Sequence, residues 1–420
     1  MTPELVDIAV VGCGVSGATV ALTAARNDAS VAVFEEHSKV GEPSHCSGHV
    51  GILAFKQYAP RIPRRIVENE IRGAVLYAPN GKSLTLHRPE PVTWVLNRAE
   101  LDQHLASLAT ENGAVLHTGS RVEGVERSDD GDFRIRVGGS KPRIVHSKMV
   151  IDAGGCGGSI SKYAGLTRSA NRMLVNSAQF NVENLTDFEE DLVEVYFGER
   201  YAPGFFGWII PRSDGSAKVG IAAGARANVR QCFERFVNKH PIVSSKLKHA
   251  KILTTPVFHP IPVDGAAGRT FTDGVLSVGD AASQVKPTTG GGIVFGLLCG
   301  RIAGETAATA VRTCDTSADQ LSAYEKRWRA LIGFDLAAMS WLRRMLYRLP
   351  DRYLDRIFTV SHELKTDAIL NRTADIDFQG RTLLSLARDP RLFITLFSAS
   401  LLSAPSLLGH GTRTIWKGSH

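Results

Sequence analysis

Residues 6–36 read VDIAVVGCGVSGATVALTAARNDASVAVFEE, and this segment is the most informative part of the sequence. An apolar run at 6–11 predicts a strand, and the glycines that follow it have the spacing G-x-G-x-x-G. A helical stretch and a second apolar strand at 31–34 come next, and two glutamates end that strand. A strand, a glycine turn, a helix and a second strand in this order predict a β-α-β unit that binds a dinucleotide. The motif alone does not distinguish FAD from NAD.

Each glycine of the motif has a separate predicted task. Gly12 permits the tight turn, Gly14 lets the backbone approach a pyrophosphate, and Gly17 lets helix and strand pack closely. The helix N-terminus offers free N–H groups and the positive end of its dipole to the phosphates. Glu35 follows the second strand, where a carboxylate can accept hydrogen bonds from a ribose. The predicted cofactor contacts in this segment are Gly12, Gly14, Val15, Ser16, Gly17, Glu35 and Glu36.

Two segments further along the chain fit a flavin nucleotide. Arg98 opens a predicted helix at 98–112 and can reach a phosphate or the flavin edge, although a surface helix cap explains this segment equally well. At 150–155, VIDAGG is a strand that ends in a tight turn. Asp152 and Gly154 in that turn allow close approach to the nucleotide. Taken alone, a plain turn is the better explanation of this second segment.

The segment LSVGDAASQVKPTTGGGI at 276–293 is the most specific after the N-terminal motif. Its strand is predicted to end at Gly279 and Asp280, where Asp280 can bond a ribityl hydroxyl. The glycine turn then opens a long helix whose N–H groups can face the N1/O2 edge of a flavin. The positive helix end there stabilises the negative charge of a reduced flavin. The predicted cofactor contacts in this segment are Gly279, Asp280, Gly290, Gly291, Gly292 and Ile293.

Charge and composition limit the function further. The chain has 420 residues, a formal net charge of +7 and an isoelectric point of about 9.1. Its 43% hydrophobic and 22% charged residues are typical of a soluble globular protein of about two domains. The positive charge favours an anionic membrane surface, an acidic protein or a phosphorylated substrate. No basic run interleaved with aromatic residues occurs, so nucleic acid is not an expected partner.

The cysteines and the apolar stretches predict a location. None of the six cysteines forms a C-x-x-C pair, so no metal site is expected, and their scatter suits a reducing compartment. The sequence shows no signal peptide and no uninterrupted apolar stretch of about 18 residues. We therefore expect a cytoplasmic protein, with peripheral contact at a membrane surface as an open alternative.

The predicted fold class is α/β (α+β): a Rossmann-like FAD-binding domain, an inserted antiparallel-sheet substrate domain and a C-terminal helical region. Alternating apolar and polar positions predict a hairpin at 71–96 and strands at 172–182, 192–197, 206–211 and 217–223. The predicted domain boundaries are 1–70, 97–165 and 272–330 for the discontinuous FAD-binding domain, 71–96 and 166–271 for the substrate domain, and 331–420 for the helical region.

The last region allows two interpretations. Apolar residues recur there at helical spacing from Leu336 to Leu349, with several arginines among them, and a second apolar stretch covers 392–408. Helices packed on the core are the favoured interpretation. The alternative is a helical cap on a membrane, with the arginines on anionic head groups.

Together the glycine-rich segments resemble the FAD-dependent family that includes p-hydroxybenzoate hydroxylase. Two further segments, GEPSHCSG at 41–48 and GFFGWIIP at 204–211, resemble the loop and the tunnel segment of archaeal geranylgeranyl reductases. The run VKPTTGGG at 285–292 is also similar to that family. Phe206 stands where the family usually has Tyr, and Ile210 where it has Phe. The resemblance covers roughly residues 1–330.

The resemblance implies an FAD enzyme that reduces isolated C=C bonds of geranylgeranyl chains, with a hydride from reduced flavin N5 and a proton. It implies Cys46 as the catalytic residue, either a proton donor or an orienting group, although simple packing beside the flavin is the alternative. Further cofactor contacts implied are Cys46, Ser47, Gly48 and Val122. The implied substrate contacts are His45, Phe206, Trp208, Ile210 and Pro211.

Strand alternation predicts which of these aromatic residues face the substrate. Phe206, Trp208 and Ile210 should share the face toward the prenyl chain, and Phe205 and Ile209 should face the other way. The expected partners are a polyprenyl lipid or diphosphate as substrate and NAD(P)H or a ferredoxin as electron donor. An aromatic monooxygenase of the same fold and a non-catalytic prenyl-lipid carrier that retains a flavin remain alternatives.

Overall fold

The computed structural model describes residues 4–129, 131–139, 141–157, 160–163, 166, 173–265, 268–346, 349–366, 371 and 376–380. The first half of the chain forms β1 (Glu4–Val11), α1 (Val15–Ala25), β2 (Val31–Phe34), β3 (His49–Gly51), α2 (Ile52–Tyr58), β4 (Val67–Ile71), β5 (Gly73–Tyr77), β6 (Ser83–His87), β7 (Thr93–Leu96), α3 (Arg98–Glu111), β8 (Val115–His117), β9 (Val122–Arg127), β10 (Phe133–Val137), β11 (Arg143–Asp152) and α4 (Ile160–Tyr163). The second half forms β12 (Leu174–Glu183), β13 (Leu192–Phe197), β14 (Phe206–Pro211), β15 (Ser216–Gly224), α5 (Val229–Lys239), α6 (Pro241–Lys246), β16 (Lys251–Ile252), β17 (Val257–Pro262), β18 (Phe271–Thr272), β19 (Val275–Ser277), α7 (Ile293–Arg312), α8 (Ala318–Trp328), α9 (Phe334–Leu346) and α10 (Asp351–Glu363).

The first sheet has the strand order β18-β19-β11-β1-β2-β8, and β19, β11, β1, β2 and β8 run parallel. Every residue of β2, VAVF, is buried, as expected for a parallel strand covered on both faces. β9 and β10 extend the sheet as antiparallel strands from β11. This sheet confirms the Rossmann-like unit predicted from residues 6–36.

Helices α1 and α7 pack closely against each other because α7 carries glycines one turn apart. A Cβ added at Gly300 would lie 2.8 Å from the carbonyl oxygen of Ser16, and one added at Gly304 would lie 2.7 Å from that of Val20. Any larger side chain would force the two helices apart. Within the described residues, α7 alone has the length and apolarity of a membrane span, and 83% of its apolar window is buried inside the protein.

The second sheet has the order β16-β12-β15-β14-β13-β5-β6, with β17 also paired to β12. All its pairings are antiparallel except β13 with β5. The strands predicted at 172–182, 192–197, 206–211 and 217–223 are confirmed as β12 to β15. One face of this sheet packs on Phe233 and Phe236 of α5, and the other buries a separate apolar cluster that includes Trp208.

A third, small sheet of β3, β7 and β4 joins the two larger cores. Leu96 of β7 is buried in the core of the first sheet, and its neighbour Val95 in the cluster around Trp208. The predicted hairpin at 71–96 is therefore too long. Only β5 and β6 form it, whereas β7 pairs with β3 and β4 because Val95 and Leu96 are drawn into two different cores.

The C-terminal helices pack on the core, as the favoured interpretation predicts. Leu336 and Met339 of α9 are buried beside the fully buried Trp328 of α8. The apolar stretch predicted at 392–408 and the remainder of 381–420 lie outside the described residues, as does Arg348 among the arginines of this region.

Candidate active site

The glycine turn between β1 and α1 has the geometry that a bound pyrophosphate requires. Gly12 has φ of +95°, and a Cβ there would lie 2.5 Å from the carbonyl oxygen of Ala153. A Cβ on Gly17 would lie 1.9 Å from the Gly12 oxygen, so this glycine permits close packing. At Gly14 the added Cβ would meet only Arg98 Nη2, at 3.7 Å. Gly14 also caps α1 without a side-chain hydrogen bond. The carboxylate of Asp102 faces the N–H of Val15, so the next N–H groups, at Ser16 and Gly17, are the ones offered to a ligand.

Glu35 fixes this turn from below. One carboxylate oxygen accepts a 2.9 Å hydrogen bond from the backbone N–H of Cys13, and the other accepts one of 3.0 Å from that of His37. The side chain is nearly buried, with 8% of the residue exposed. Glu36, by contrast, is exposed and lies 3.6 Å from Arg121 in a surface ion pair. The two predicted acidic contacts are thus unequal: one supports the turn, and the other lies at its rim.

The end of β11 lies directly against the glycine turn. Asp152 is fully buried, and its carboxylate accepts a 3.1 Å hydrogen bond from the N–H of Gly154. The Cα of Gly154 lies 3.1 Å from the position of a Cβ on Gly12. Val122 is different, because its side chain packs with Phe34 in the core beneath the sheet. The predicted contact at Val122 is therefore left to its backbone.

The loop before α7 faces the same turn. A Cβ on Gly279 would lie 2.3 Å from Ser16 Oγ, and one on Gly292 would lie 3.2 Å from Asp280 Oδ1. Helix α7 begins at Ile293, and no side chain caps its N-terminus. The N-termini of α1 and α7 therefore lie beside each other, and this arrangement fits a dinucleotide. The predicted contacts Gly290, Gly291, Gly292 and Ile293 all belong to this loop or to the first residue of α7.

Cys46 lies on the loop before β3, beside the guanidinium group of Arg98. Its Sγ accepts a 3.4 Å hydrogen bond from the N–H of Gly48 and lies within electrostatic reach of Arg98. Arg98 also bonds both oxygens of Asp102, at 2.9 and 3.1 Å. Burial lowers the pKa of Arg98, but Asp102 outweighs this effect and keeps that pKa above its ordinary value. A permanent cation thus lies between Gly14 and the Cys46 thiol.

Lys218 holds the other side of the Cys46 loop. It belongs to β15, all nine residues of which are buried. Its Nζ donates to the carbonyl oxygens of Ser47 at 3.0 Å and Leu96 at 3.2 Å, and lies 2.6 Å from the carboxylate of Glu68. Burial lowers the pKa of this ammonium group, and Glu68 opposes that shift. The lysine therefore ties the loop to the second sheet.

His45 stacks on His259 of β17, with ring centroids 3.6 Å apart and 14° between the ring planes. Burial lowers the pKa of His45 to about 3, and His259 and Arg98 add to the shift. Burial also lowers the pKa of His259, against the effect of Asp280. Both rings are neutral at neutral pH, which permits their stacking. The pair joins the Cys46 loop to the second sheet.

The face alternation predicted for β14 is confirmed for four residues. Phe206, Trp208 and Ile210 lie on the face that buries the cluster around Trp208, and Ile209 lies on the opposite face. The prediction for Phe205 was wrong. Phe205 precedes the strand, and its ring stacks on Phe206 at 4.3 Å, on the same side. Ile210 and Pro211, at the end of the strand, are themselves buried.

Three residues of the site were missed from the sequence: Gln179, Lys218 and His259. The clearest available signal was Lys218, a lone charge in the apolar strand SAKVGIAAG. Gln179 lies in a strand of mixed polarity, and His259 has no local pattern that distinguishes it. Within the described part of the chain, no group of three or more His, Cys, Asp or Glu residues could hold a metal ion.

Comparisons with known proteins identify the class of enzyme to which the chain belongs. A family model for FAD dependent oxidoreductases matches residues 7–231. A flavin-dependent brominase shares the fold, with a TM-score of 0.67 at 14% identity over 96% of this chain and all of that one. The chain is a flavoprotein of the FAD-dependent oxidoreductase class, and its cofactor is FAD.

More similar proteins narrow this to one family. The digeranylgeranylglycerophospholipid reductase of Methanocaldococcus jannaschii is 31% identical over 84% of this chain and 90% of its own length. A reductase of the same name from Methanothermobacter thermautotrophicus is 34% identical, with the same coverage. A geranylgeranyl bacteriochlorophyll reductase-like protein from Thermoplasma acidophilum superposes with a TM-score of 0.82 at 25% identity, over 94% of this chain and 99% of that one. The chain belongs to the digeranylgeranylglycerophospholipid reductase family.

Proposed function

We propose that the protein saturates isolated C=C bonds in the geranylgeranyl chains of an isoprenoid phospholipid. The observation that carries this proposal is the position of Cys46. Its thiol lies beside Arg98 near the glycine turn. Its backbone oxygen accepts from Gln179, which in turn accepts from Trp208 of the aromatic strand. One loop thus contacts both the cofactor side and the apolar side of the site.

FAD is held, in this proposal, along the carboxyl edge of the first sheet. The N–H groups at the start of α1 take the pyrophosphate, and Glu35 takes the adenosine ribose. Asp280 takes a ribityl hydroxyl, and the N-terminus of α7 takes the N1/O2 edge of the flavin. Bound FAD supplies the hydride for the reduction. Arg98 neutralises negative charge beside the pyrophosphate.

Cys46 then acts at the alkene. An unactivated double bond offers no carbonyl to polarise, so its reduction depends on a precisely held chain and on a proton for the second carbon. The Cys46 thiol is the proposed source or guide of that proton. Lys218 and the two stacked histidines hold its loop in place, and none of them needs to change charge at neutral pH.

The apolar chain lies, in this proposal, against the Phe206 and Trp208 side of β14, next to His45. Phe205 belongs to this wall as well, because its ring stacks on Phe206. A dry wall beside the reacting bond excludes water and lowers the local dielectric. Ile210 and Pro211 support the wall from within the sheet.

We also infer a peripheral contact between the protein and the membrane that holds its substrate. Leu331, Phe334 and Trp341 are exposed by 41%, 53% and 60% and lie at helical spacing on and just before α9. Exposed Arg329 and Arg344 flank them. Aromatic and aliphatic side chains bordered by arginines suit an anionic lipid interface. Replacement of Trp341 by glutamate should abolish co-sedimentation with anionic vesicles, and retained co-sedimentation would reject the contact.

Anaerobic reoxidation tests the proposed function. The protein is photoreduced and mixed with an unsaturated digeranylgeranyl phospholipid, and a fully saturated analogue serves as the control. Return of the oxidised flavin absorbance with the unsaturated lipid alone supports the proposal. No reoxidation by lipid would support a carrier, and oxygen uptake with NADPH and an aromatic compound would support a monooxygenase. The same assay, run with NADPH and with a reduced ferredoxin, identifies the electron donor.

A further inference from the structure

A buried ion pair connects the loop before α7 to a segment far along the chain. Lys286 Nζ lies 2.7 Å from Asp377 Oδ1, and only 4% and 2% of the two side chains are exposed. Lys286 also donates a 3.0 Å hydrogen bond to the carbonyl oxygen of Ile376. Each charge would be costly to bury alone, so the pair forms only when residues 376–379 lie against this loop.

The same aspartate reaches a second element of the proposed site. Its other oxygen, Oδ2, accepts a 2.7 Å hydrogen bond from the backbone N–H of Gly51, at the end of β3. Strand β3 directly follows the loop that carries Cys46. One carboxylate therefore links the strand after Cys46 to the loop before α7.

Lys286 is well placed to transmit this link to the start of α7. Its backbone N–H donates to the carbonyl oxygen of Gly291 at 3.1 Å, and its own carbonyl oxygen accepts from Gly290 at 2.8 Å. Thr288 in the same loop shares a short hydrogen bond with Gln379. A shift of the Lys286 side chain would therefore disturb the turn that precedes the first N–H groups of α7.

Residues preceding this segment are held by the second sheet. Asp355 of α10 accepts a 2.9 Å hydrogen bond from the backbone N–H of Asn80, and Asn371 accepts one of 2.9 Å from that of His87. Asp355 and Asn371 thus contact the hairpin of the second sheet, and residues 376–379 contact the proposed cofactor loop.

We propose that Asp377 is a positioning residue of the cofactor site: through Lys286 and Gly51 it holds both the loop before α7 and the strand after Cys46. The inference rests on the proposed placement of FAD at the N-terminus of α7. It adds that the flavin environment depends on residues 376–379, more than 80 positions beyond the loop before α7 in the sequence. Asp377 itself does not touch the reacting atoms.

Asp377→Asn tests this role, with Asp355→Asn as the matched control from the same C-terminal region. Asp377→Asn leaves Lys286 without its counter-charge, so the FAD dissociation constant of the apoprotein should rise by about tenfold or more. The absorbance spectrum and the midpoint potential of bound FAD should shift as well. Asp355→Asn should leave all three at their original values. An unchanged FAD affinity, spectrum and potential in folded Asp377→Asn would overturn the proposal, even if its melting temperature fell.

Two milder variants keep the test decisive if Asp377→Asn does not fold. A Cβ in Gly51→Ala would lie 2.4 Å from Asp377 Oδ2 and must displace it, whereas Thr288→Val removes only the hydroxyl contact to Gln379. Both should weaken FAD binding in the same direction as Asp377→Asn, and unchanged binding in both would overturn the proposal. None of these measurements involves the lipid, so they separate this inference from failure of the proposed substrate.

Discussion

The indole N–H of Trp208 donates a 3.0 Å hydrogen bond to the side-chain oxygen of Gln179. The amide nitrogen of Gln179 then donates to the backbone oxygen of Cys46 at 3.4 Å. Both Trp208 and Gln179 are buried. A single amide therefore joins the proposed wall of the lipid site to the loop that carries the proposed catalytic thiol, and a change at either end should be felt at the other.

Trp208→Ala should impair lipid saturation more than FAD binding. The variant loses a large buried aromatic ring and leaves Gln179 without its donor, at a cost of about 3–5 kcal/mol in the free energy of unfolding. Ile209→Ala is the matched control, because Ile209 lies in the same strand on the opposite face. Saturation of the lipid and flavin occupancy are measured on the same preparations.

The two variants separate a substrate wall from a structural strand. We expect Ile209→Ala to lose stability while it keeps its activity per bound flavin. Trp208→Ala should lose activity per bound flavin. Full activity in Trp208→Ala, or a loss of flavin in parallel with activity, would remove β14 from the lipid site.

Cys46→Ser should retain the flavin spectrum and slow the reoxidation of reduced enzyme by lipid. A hydroxyl is nearly the same shape as a thiol but a much weaker acid, so the proton step should suffer while the hydrogen bond from Gly48 persists. Stopped-flow absorbance under anaerobic conditions measures the rate. Cys314→Ser, at an exposed cysteine, provides the control, and equal rates in both variants would reduce Cys46 to a packing role.

Glu35→Gln should weaken FAD binding by roughly 1–3 kcal/mol, because the charged acceptor for the proposed ribose hydroxyls and for the Cys13 N–H is lost. Titration of the apoprotein with FAD gives the dissociation constant. Glu36→Gln, at the exposed neighbour, should have a smaller effect. If the two variants weaken binding equally, the distinct role of Glu35 is wrong.

Acidification should destabilise the protein through His45 and His49, which the folded chain holds in the neutral form. The pKa of His45 is about 3 and that of His49 about 4, against an ordinary value of 6.5. The unfolded chain therefore binds protons that the folded chain does not, so stability is full above pH 6.5 and falls as the pH falls toward 4. Each histidine contributes at most about 1.4 kcal/mol per pH unit, and the partly exposed His45 contributes less.

Denaturant unfolding at several pH values between 4 and 7 measures this dependence. His45→Phe keeps a ring to stack on His259 but cannot take up a proton, so its stability should fall less steeply with acid. His249→Asn, at an exposed histidine, should leave the slope as it is. An unchanged slope in His45→Phe would contradict the assignment of His45 as a ring that stays neutral in the folded chain.

Local patterns predicted the elements that a short stretch of sequence determines. The turn at Gly12 and Gly17 follows from steric needs of a few neighbouring residues, and the alternation of Phe206 and Trp208 follows from strand geometry. Phe205 escaped this rule because the strand begins one residue later, after the positive φ of Gly204. The extent of a strand is set by its partners, which a local pattern does not contain.

Contacts between distant segments could not be predicted in the same way. Lys286 and Asp377 are each unremarkable in sequence, and only the fold brings them to 2.7 Å. The stacking of His45 on His259 and the bonds from Lys218 to the Cys46 loop likewise join different sheets. The role of a residue that supports the site from a distance depends on the tertiary fold. The role of a glycine in a tight turn depends on the local backbone conformation and can be predicted from the sequence.

Mass spectrometry of the lipid product shows whether the protein saturates double bonds of geranylgeranyl chains. A geranylgeranyl phospholipid is incubated with the reduced protein under anaerobic conditions, and the mass of each chain is compared with that of lipid incubated with oxidised protein. Each saturated double bond adds a hydride and a proton, so we predict a gain in multiples of about 2 Da. Lipid that keeps its original mass after incubation with the fully reduced protein would contradict the proposed reduction. Lipid that gains oxygen would contradict it as well.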